Sequence, residues 1–289
     1  MKTRLLTAAV GIPVALAVLI ASAFWPAVLC ATLLVLCMIG IHEALHTVAG
    51  KEERLLAAPC FVYGALVMGA PLVGDLTRMC GLLMAGSVLF LFVMFAILLK
   101  KHAVLRVDVL CTCMILTMFV AFPFMSLEML YLSVMKNPDG SPSYAGGILL
   151  VTYCLLLSWV ADGGAYFVGR ALGRHKLAPV ISPKKTIEGS VGGLVCSMVI
   201  SLGAAYLYAD GLGYAPGRVS YGRLALITLL CILMSMFGDL SFSAVKRQYG
   251  IKDYGNLLPG HGGVLDRFDS VLFVAPSFFL LHLVLPVIR

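Results

Sequence analysis

Long apolar runs separated by short polar breaks dominate this chain. Nine can be read, at about residues 5–22, 26–48, 56–74, 79–99, 104–124, 146–168, 189–209, 223–242 and 269–287. Crossing ~30 Å of hydrocarbon takes about 20 mostly apolar residues in a helix, which is the length of these runs. A transmembrane barrel would instead show short alternating segments. The pattern predicts an all-α, polytopic integral membrane protein with about nine transmembrane helices.

Composition narrows this further. Of 289 residues, 61% are hydrophobic and 12% are charged, against about 25% charged in an ordinary soluble domain. A soluble globular enzyme, a disordered chain and a disulfide-rich secreted fold are all excluded. The 21 basic and 14 acidic residues leave a net charge of +7, and where those charges lie decides what they mean. With the N-terminus in the cytoplasm, sixteen of the 21 basic residues fall on the cytoplasmic side, and Arg78, Lys136, Arg218, Arg223 and Arg289 fall outside. That is a strong positive-inside bias, which adding or dropping one span would spoil. The excess charge is therefore topological, and no nucleic-acid partner is implied. The nine cysteines all lie in apolar runs without a C-x-x-C pair, and read as small buried apolar residues. Lys2, Arg4 and Ala21-Ser22-Ala23 give the start a likeness to a cleavable secretory signal. We read it as the first span, and the topology of the rest is the same either way.

The chain reads as one integral membrane domain over 1–289 with two kinds of content. Residues 1–143 carry few polar groups and form a helical scaffold, and the break over Lys136–Pro142 has the Pro, Gly, Asn and Asp content of a loop. Residues 144–289 hold ionisable groups inside or at the ends of spans, with two long polar loops on the cytoplasmic side. Ionisable groups are expensive in a bilayer and mark sites. No internal repeat of the transporter kind is visible.

One early motif is set aside. His42-Glu43-Ala44-Leu45-His46 satisfies H-E-x-x-H, which on a helix could present two imidazoles to zinc. The only matching carboxylate motif, around Asp139, falls a bilayer away in an external loop, so these are read as polar residues at a helix end. The second half offers more. Asp162, beside Gly163 and Gly164, forms a polar wall with room for close backbone approach. In Ser182-Pro183-Lys184-Lys185, Ser182 is expected to cap a helix with Pro183 at its first position. Lys184 and Lys185 would then oppose the helix dipole, unless they cradle a phosphate. Asp239, Ser243, Lys246 and Arg247 share one helical face at spacings of three and four, a set suited to a metal and phosphates. After Gly260-His261-Gly262-Gly263, whose backbone N–H groups could reach an anion, Asp266 and Asp269 recur at i, i+3. With Asp239 they supply hard oxygen ligands of the kind Mg²⁺ takes.

The stretch from Ser243 to Asp269 resembles the signature of the phosphatidate cytidylyltransferase (CDP-diacylglycerol synthase) family: S-x-hydrophobic-K-R-x4-K-D-x-G-x2-L-P-x-H-G-G-hydrophobic-x-D-R-hydrophobic-D. Every fixed position is met, from Ser243, Lys246 and Arg247 through Lys252, Asp253, Gly255, Leu258, Pro259, His261, Gly262 and Gly263 to Asp266, Arg267 and Asp269. Gly238-Asp239 and Ser182-Pro183-Lys184-Lys185-Thr186 are similar to the family's pattern as well. Two positions depart from it: Ile187 stands where the family often has tryptophan, and Gly163 where a hydroxyl residue is common.

The resemblance implies transfer of CMP from CTP to phosphatidate, giving CDP-diacylglycerol and pyrophosphate, in a bacterial inner membrane with the site facing the cytoplasm. It implies Mg²⁺, with a second cation, held by Asp239, Asp266 and Asp269, and Lys246 acting beside them. Asp162, Lys184, Lys185, Ser243, Arg247, Lys252, Asp253, His261, Gly262, Gly263 and Arg267 would bind substrate. A homodimer is suggested by the family only. The competing readings are a cytidylyltransferase for another lipid phosphate and, from a different class, an anion transporter.

Overall fold

A computed structural model describes residues 2–50, 53–133, 143–214, 216–257, 260 and 262–288, leaving aside the side chains of residues 2–8, 10 and 12. The long helices are α1 (Lys2–Phe24), α2 (Ala27–Ala49), α3 (Glu53–Gly69), α4 (Leu76–Lys101), α5 (Val107–Leu132), α6 (Ala145–Leu172), α7 (Ile187–Tyr206) and α8 (Tyr221–Gln248). A one-turn helix α9 (Leu265–Phe268) and α10 (Val271–Val284) follow, and a two-stranded hairpin, β1 (Lys176–Ala178) and β2 (Ser182–Thr186), precedes α7. Each of the nine apolar runs falls on a helix. Hydrocarbon offers the backbone no hydrogen-bond partner, so an apolar run of this length must satisfy its own N–H and C=O groups, as a helix does. Among the described residues, seven helices are long and apolar enough to cross a membrane, while Pro13–Phe24 and Val271–Val284 are shorter apolar stretches. The protein is an all-α polytopic membrane protein.

The chain divides into two compact units. One comprises Met1–Val18, Ala27–Glu128 and Tyr249–Arg267, and the other Leu19–Pro26, Met129–Gln248 and Phe268–Arg289. Most of the signature loop, 249–267, thus groups with the N-terminal helices rather than with residues 144–248. The loop-like break at Lys136–Pro142 lies outside the described residues.

In the first unit, α3 packs against both α2 and α4. Tyr63 of α3 is buried, stacks on Phe90 with ring centroids 4.4 Å apart and hydrogen-bonds Ser87 of α4 at 2.9 Å. Leu265 is fully buried, and a Cβ on Gly40 of α2 would lie 3.2 Å from it. That seats the one-turn helix α9 closely on α2.

In the second unit, α6 and α7 approach through small residues, the usual means of close helix contact in membranes. A side chain on Gly193 would strike the Ala161 carbonyl, and one on Gly189 the Ala165 carbonyl. Ser197 donates across the same seam to the Leu157 carbonyl at 2.8 Å. Tyr153 of α6 hydrogen-bonds Thr228 of α8, and Gly238 of α8 lies under Phe273 of α10. At the start of α6, a Cβ on Gly147 would collide with the Tyr131 carbonyl oxygen. Gly147→Ala should therefore destabilise this unit by about 1–3 kcal/mol or more, as overpacking does. The check is the thermal unfolding midpoint in detergent, and an unchanged midpoint would refute the close approach.

One predicted element is corrected. Ser182-Pro183-Lys184-Lys185 is not the first turn of a helix but the outgoing strand of the hairpin, paired antiparallel with Lys176↔Thr186 and Ala178↔Ser182 in register. The helix begins at Ile187, and Thr186 is its cap, its hydroxyl accepting the Gly189 N–H at 3.1 Å. The dipole accounts for the shift: two lysines are unfavourable in a first turn, whereas Glu188 is favourable there.

Candidate functional site

The polar residues singled out in the sequence collect in two places, one in each unit. In the second unit the centre is Asp239, half-buried near the end of α8. Ser243, one turn later, donates to its Oδ1 at 3.3 Å, and Lys185 of β2 brings its Nζ against Oδ2. The strand explains how one lysine reaches the site and its neighbour does not. Successive side chains on a strand point to opposite faces, so Lys185 turns to Asp239 while Lys184 is exposed. The expectation of a common cradle built by both lysines therefore gives way to one lysine in the cluster and one at the surface. Lys246 is buried at 8% exposure, whereas Arg247 is exposed and donates from Nε to the Ile181 carbonyl at 3.4 Å. The shared helical face thus splits, with Lys246 turned inward and Arg247 tying α8 to the hairpin turn.

Asp269 follows α9 and precedes α10. Its Oδ1 accepts the Ser270 N–H at 2.8 Å, and the Ser270 hydroxyl donates to Asp162 Oδ2 of α6 at 3.1 Å. Asp269 is buried, and Asp239, Asp162 and Lys246 lie near enough for their charges to act on it. Carboxylates from α6, α8 and the start of α10 therefore share one field with Lys185 and Lys246. Three acids against two lysines leave a local excess of negative charge, which a cation would relieve. Ser270 links two of these acids and was not foreseen. A serine beside an aspartate at a helix start carries no distinctive sequence signal.

In the first unit the signature loop is clasped at its base. Asp266 is buried, and its Oδ2 accepts the N–H groups of Tyr254 at 2.7 Å and Gly263 at 3.0 Å. Gly262 takes φ +84°, a left-handed conformation natural to glycine, and so lets the chain turn into that clasp. Glu43 of α2, buried at 6% exposure, accepts Val264 N–H at Oε1 (2.9 Å) and Leu265 N–H at Oε2 (2.8 Å). Its two histidine neighbours turn elsewhere: His42 and His46 both reach Glu53, at 2.9 and 3.0 Å. The H-E-x-x-H residues thus make two separate contacts, the histidines with Glu53 and Glu43 with the signature loop. The role of Glu43 in bracing the signature loop was missed, because its partners are backbone groups more than 200 positions away. Lys252, Asp253 and Arg267 are exposed on or beside the loop, Gly263 is buried, and His261 lies outside the described residues.

Among the described residues, no three His, Cys, Asp or Glu side chains are gathered so as to hold a metal ion. The donor chemistry nonetheless suits Mg²⁺. This ion usually binds one or two carboxylates and completes its shell with water and substrate phosphates rather than a protein cage. Asp239 and Asp269, which share one field, are of that kind. Asp266, in the other unit, already spends one oxygen on two backbone donors.

Comparison with known proteins identifies relatives of this chain. The model of the family described as "Cytidylyltransferase family" matches residues 2–285. Proteins named phosphatidate cytidylyltransferase are similar to this chain over 135 residues: 43% identity for that of Staphylococcus haemolyticus, covering 47% of this chain and 49% of the relative. The Bacillus subtilis protein of the same name is 46% identical, over 47% of this chain and 48% of the relative. The matched stretch therefore spans about half the length of these relatives.

Proposed function

The chain belongs to the cytidylyltransferase family, and from that premise we propose that it is a phosphatidate cytidylyltransferase, making CDP-diacylglycerol and pyrophosphate from phosphatidate and CTP. An oxygen of the lipid phosphate attacks the α-phosphorus of CTP, the bond to the β-phosphate breaks, and pyrophosphate leaves. The attacking oxygen is already anionic at neutral pH. Catalysis then needs in-line positioning and electrostatic stabilisation rather than a strong base.

The observation that carries this reading is the meeting of Lys185, Asp239 and Ser243. It joins the SPKK segment to the opening of the signature, two stretches more than 50 residues apart. Lys185 and Lys246 would hold phosphate oxygens, and Asp162 with Ser270 would fix Asp269. Lys184, Arg247, Lys252 and Arg267, nearer the surface, would draw in the anionic substrates. Each of Asp239, Asp266 and Asp269 would serve as a ligand for Mg²⁺ or its second cation. The chemistry the metal supplies when bound is neutralisation of charge on the leaving pyrophosphate. Bacterial relatives support a plasma-membrane location, and the cytosolic supply of CTP supports a site facing the cytoplasm.

The deciding experiment is an assay of purified protein in detergent with radiolabelled CTP and a panel of lipid phosphates. Labelled CDP-diacylglycerol should form with phosphatidate, stop on adding EDTA and resume with excess Mg²⁺. Product formed only with another lipid phosphate would reassign the acceptor. No turnover of CTP with any acceptor would overturn the reading.

A further inference from the structure

We propose that Glu43 is a positioning residue for the reaction, holding the backbone of Val264 and Leu265 so that Asp266 is presented in one fixed orientation. The inference rests on the proposed cytidylyltransferase reading, in which Asp266 serves the site. Glu43 sits in α2, far in sequence from the signature and outside its pattern. Yet its two carboxylate oxygens each take one N–H, from Val264 at 2.9 Å and from Leu265 at 2.8 Å. These are the residues immediately before Asp266, and their donors open the one-turn helix α9. Such donors have no partner within the helix and must find one elsewhere. In a buried place, an anionic acceptor is the strongest available.

The surroundings are built for this carboxylate. A Cβ on Gly255 or on Gly263 would run into it, so two glycines of the signature leave the space Glu43 fills. Leu265 is fully buried beside Gly40, one turn of α2 before Glu43. The loop is thereby fixed twice over: Asp266 gathers Tyr254 and Gly263, and Glu43 pins the two residues between Gly263 and Asp266. A glutamine of the same size cannot replace it. Its amide oxygen can accept one N–H, but its NH₂ would face the other donor. Aspartate retains two acceptors but falls one methylene short.

Groups that orient a ligating side chain typically cost about 10–100-fold in activity or metal affinity when changed. Glu43→Gln should lower turnover of CTP per folded molecule by about 10–100-fold and raise the Mg²⁺ concentration needed for half-maximal rate. Glu43→Asp should recover part of both. Hydrogen exchange supplies a readout independent of activity: in Glu43→Gln, peptides covering 262–268 should exchange faster while those of α6 and α7 are unchanged. If wild type is active and Asp266→Asn is not, but Glu43→Gln matches wild type in rate, Mg²⁺ dependence and exchange, the inference is overturned and the enzymatic reading stands. Loss of folded protein in Glu43→Gln with an unchanged rate per folded molecule would also overturn it, leaving a structural role only. An inactive wild type would instead count against the reading on which the inference depends.

Discussion

Asp239→Asn is expected to reduce CTP turnover by about 10²–10³-fold, the scale seen when one preorganised electrostatic contact is removed from a site. Asparagine keeps the volume of aspartate, and its amide oxygen can still accept from Ser243, which donates to Oδ1 in the native protein at 3.3 Å. The fold should therefore survive, with a detergent unfolding midpoint close to wild type. What disappears is charge: Lys185 loses the carboxylate against which its Nζ lies, and the field shared by Asp162, Asp239 and Asp269 drops from three acids to two. Lys185→Met should act through the same pair. The double variant should thus cost little more than Asp239→Asn alone, since residues in direct contact are non-additive. Purified variants compared by kcat, KM for CTP and Mg²⁺ dependence test this. A near wild-type rate for Asp239→Asn would remove it from the site, and strictly additive losses would separate it from Lys185.

How much of this was legible in the sequence depends on whether the cause was local. The helices were, because apolar runs near twenty residues leave the backbone no alternative in hydrocarbon, and each run coincides with a helix. The face joining Asp239 to Ser243 and Lys246 was legible too, since the helical repeat alone brings residues three and four apart together. Three things were not. The strand Ser182–Thr186 was read as a helix start because serine followed by proline is a strong local start signal, while the pairing with Lys176–Ala178 that overrides it is made by backbone groups, which residue types do not record. The separation of Lys184 from Lys185 then follows from strand alternation, which a helical reading conceals. The contact of Glu43 with Val264 and Leu265 joins one side chain to two backbone N–H groups. No pattern of residue types records a backbone donor.

The second large effect separates two roles of Asp266. Its Oδ2 accepts from Tyr254 and Gly263, so it closes the signature loop whatever else it does. Asp266→Asn can place its amide oxygen where Oδ2 lies and keep both hydrogen bonds, removing the negative charge but not the clasp. Asp266→Ala leaves two buried N–H groups unpaired, at about 1–3 kcal/mol each. If Asp266 also ligates the cation, asparagine should lower turnover by about 10²–10³-fold with the unfolding midpoint and the exchange of 262–268 near wild type. Alanine should lose stability as well as activity. If Asp266 is only a clasp, asparagine should retain the wild-type rate and Mg²⁺ dependence, and only alanine should fail. The ligand set would then shrink to Asp239 and Asp269 of the second unit, a pair of carboxylates that still matches how Mg²⁺ is usually held beside phosphates.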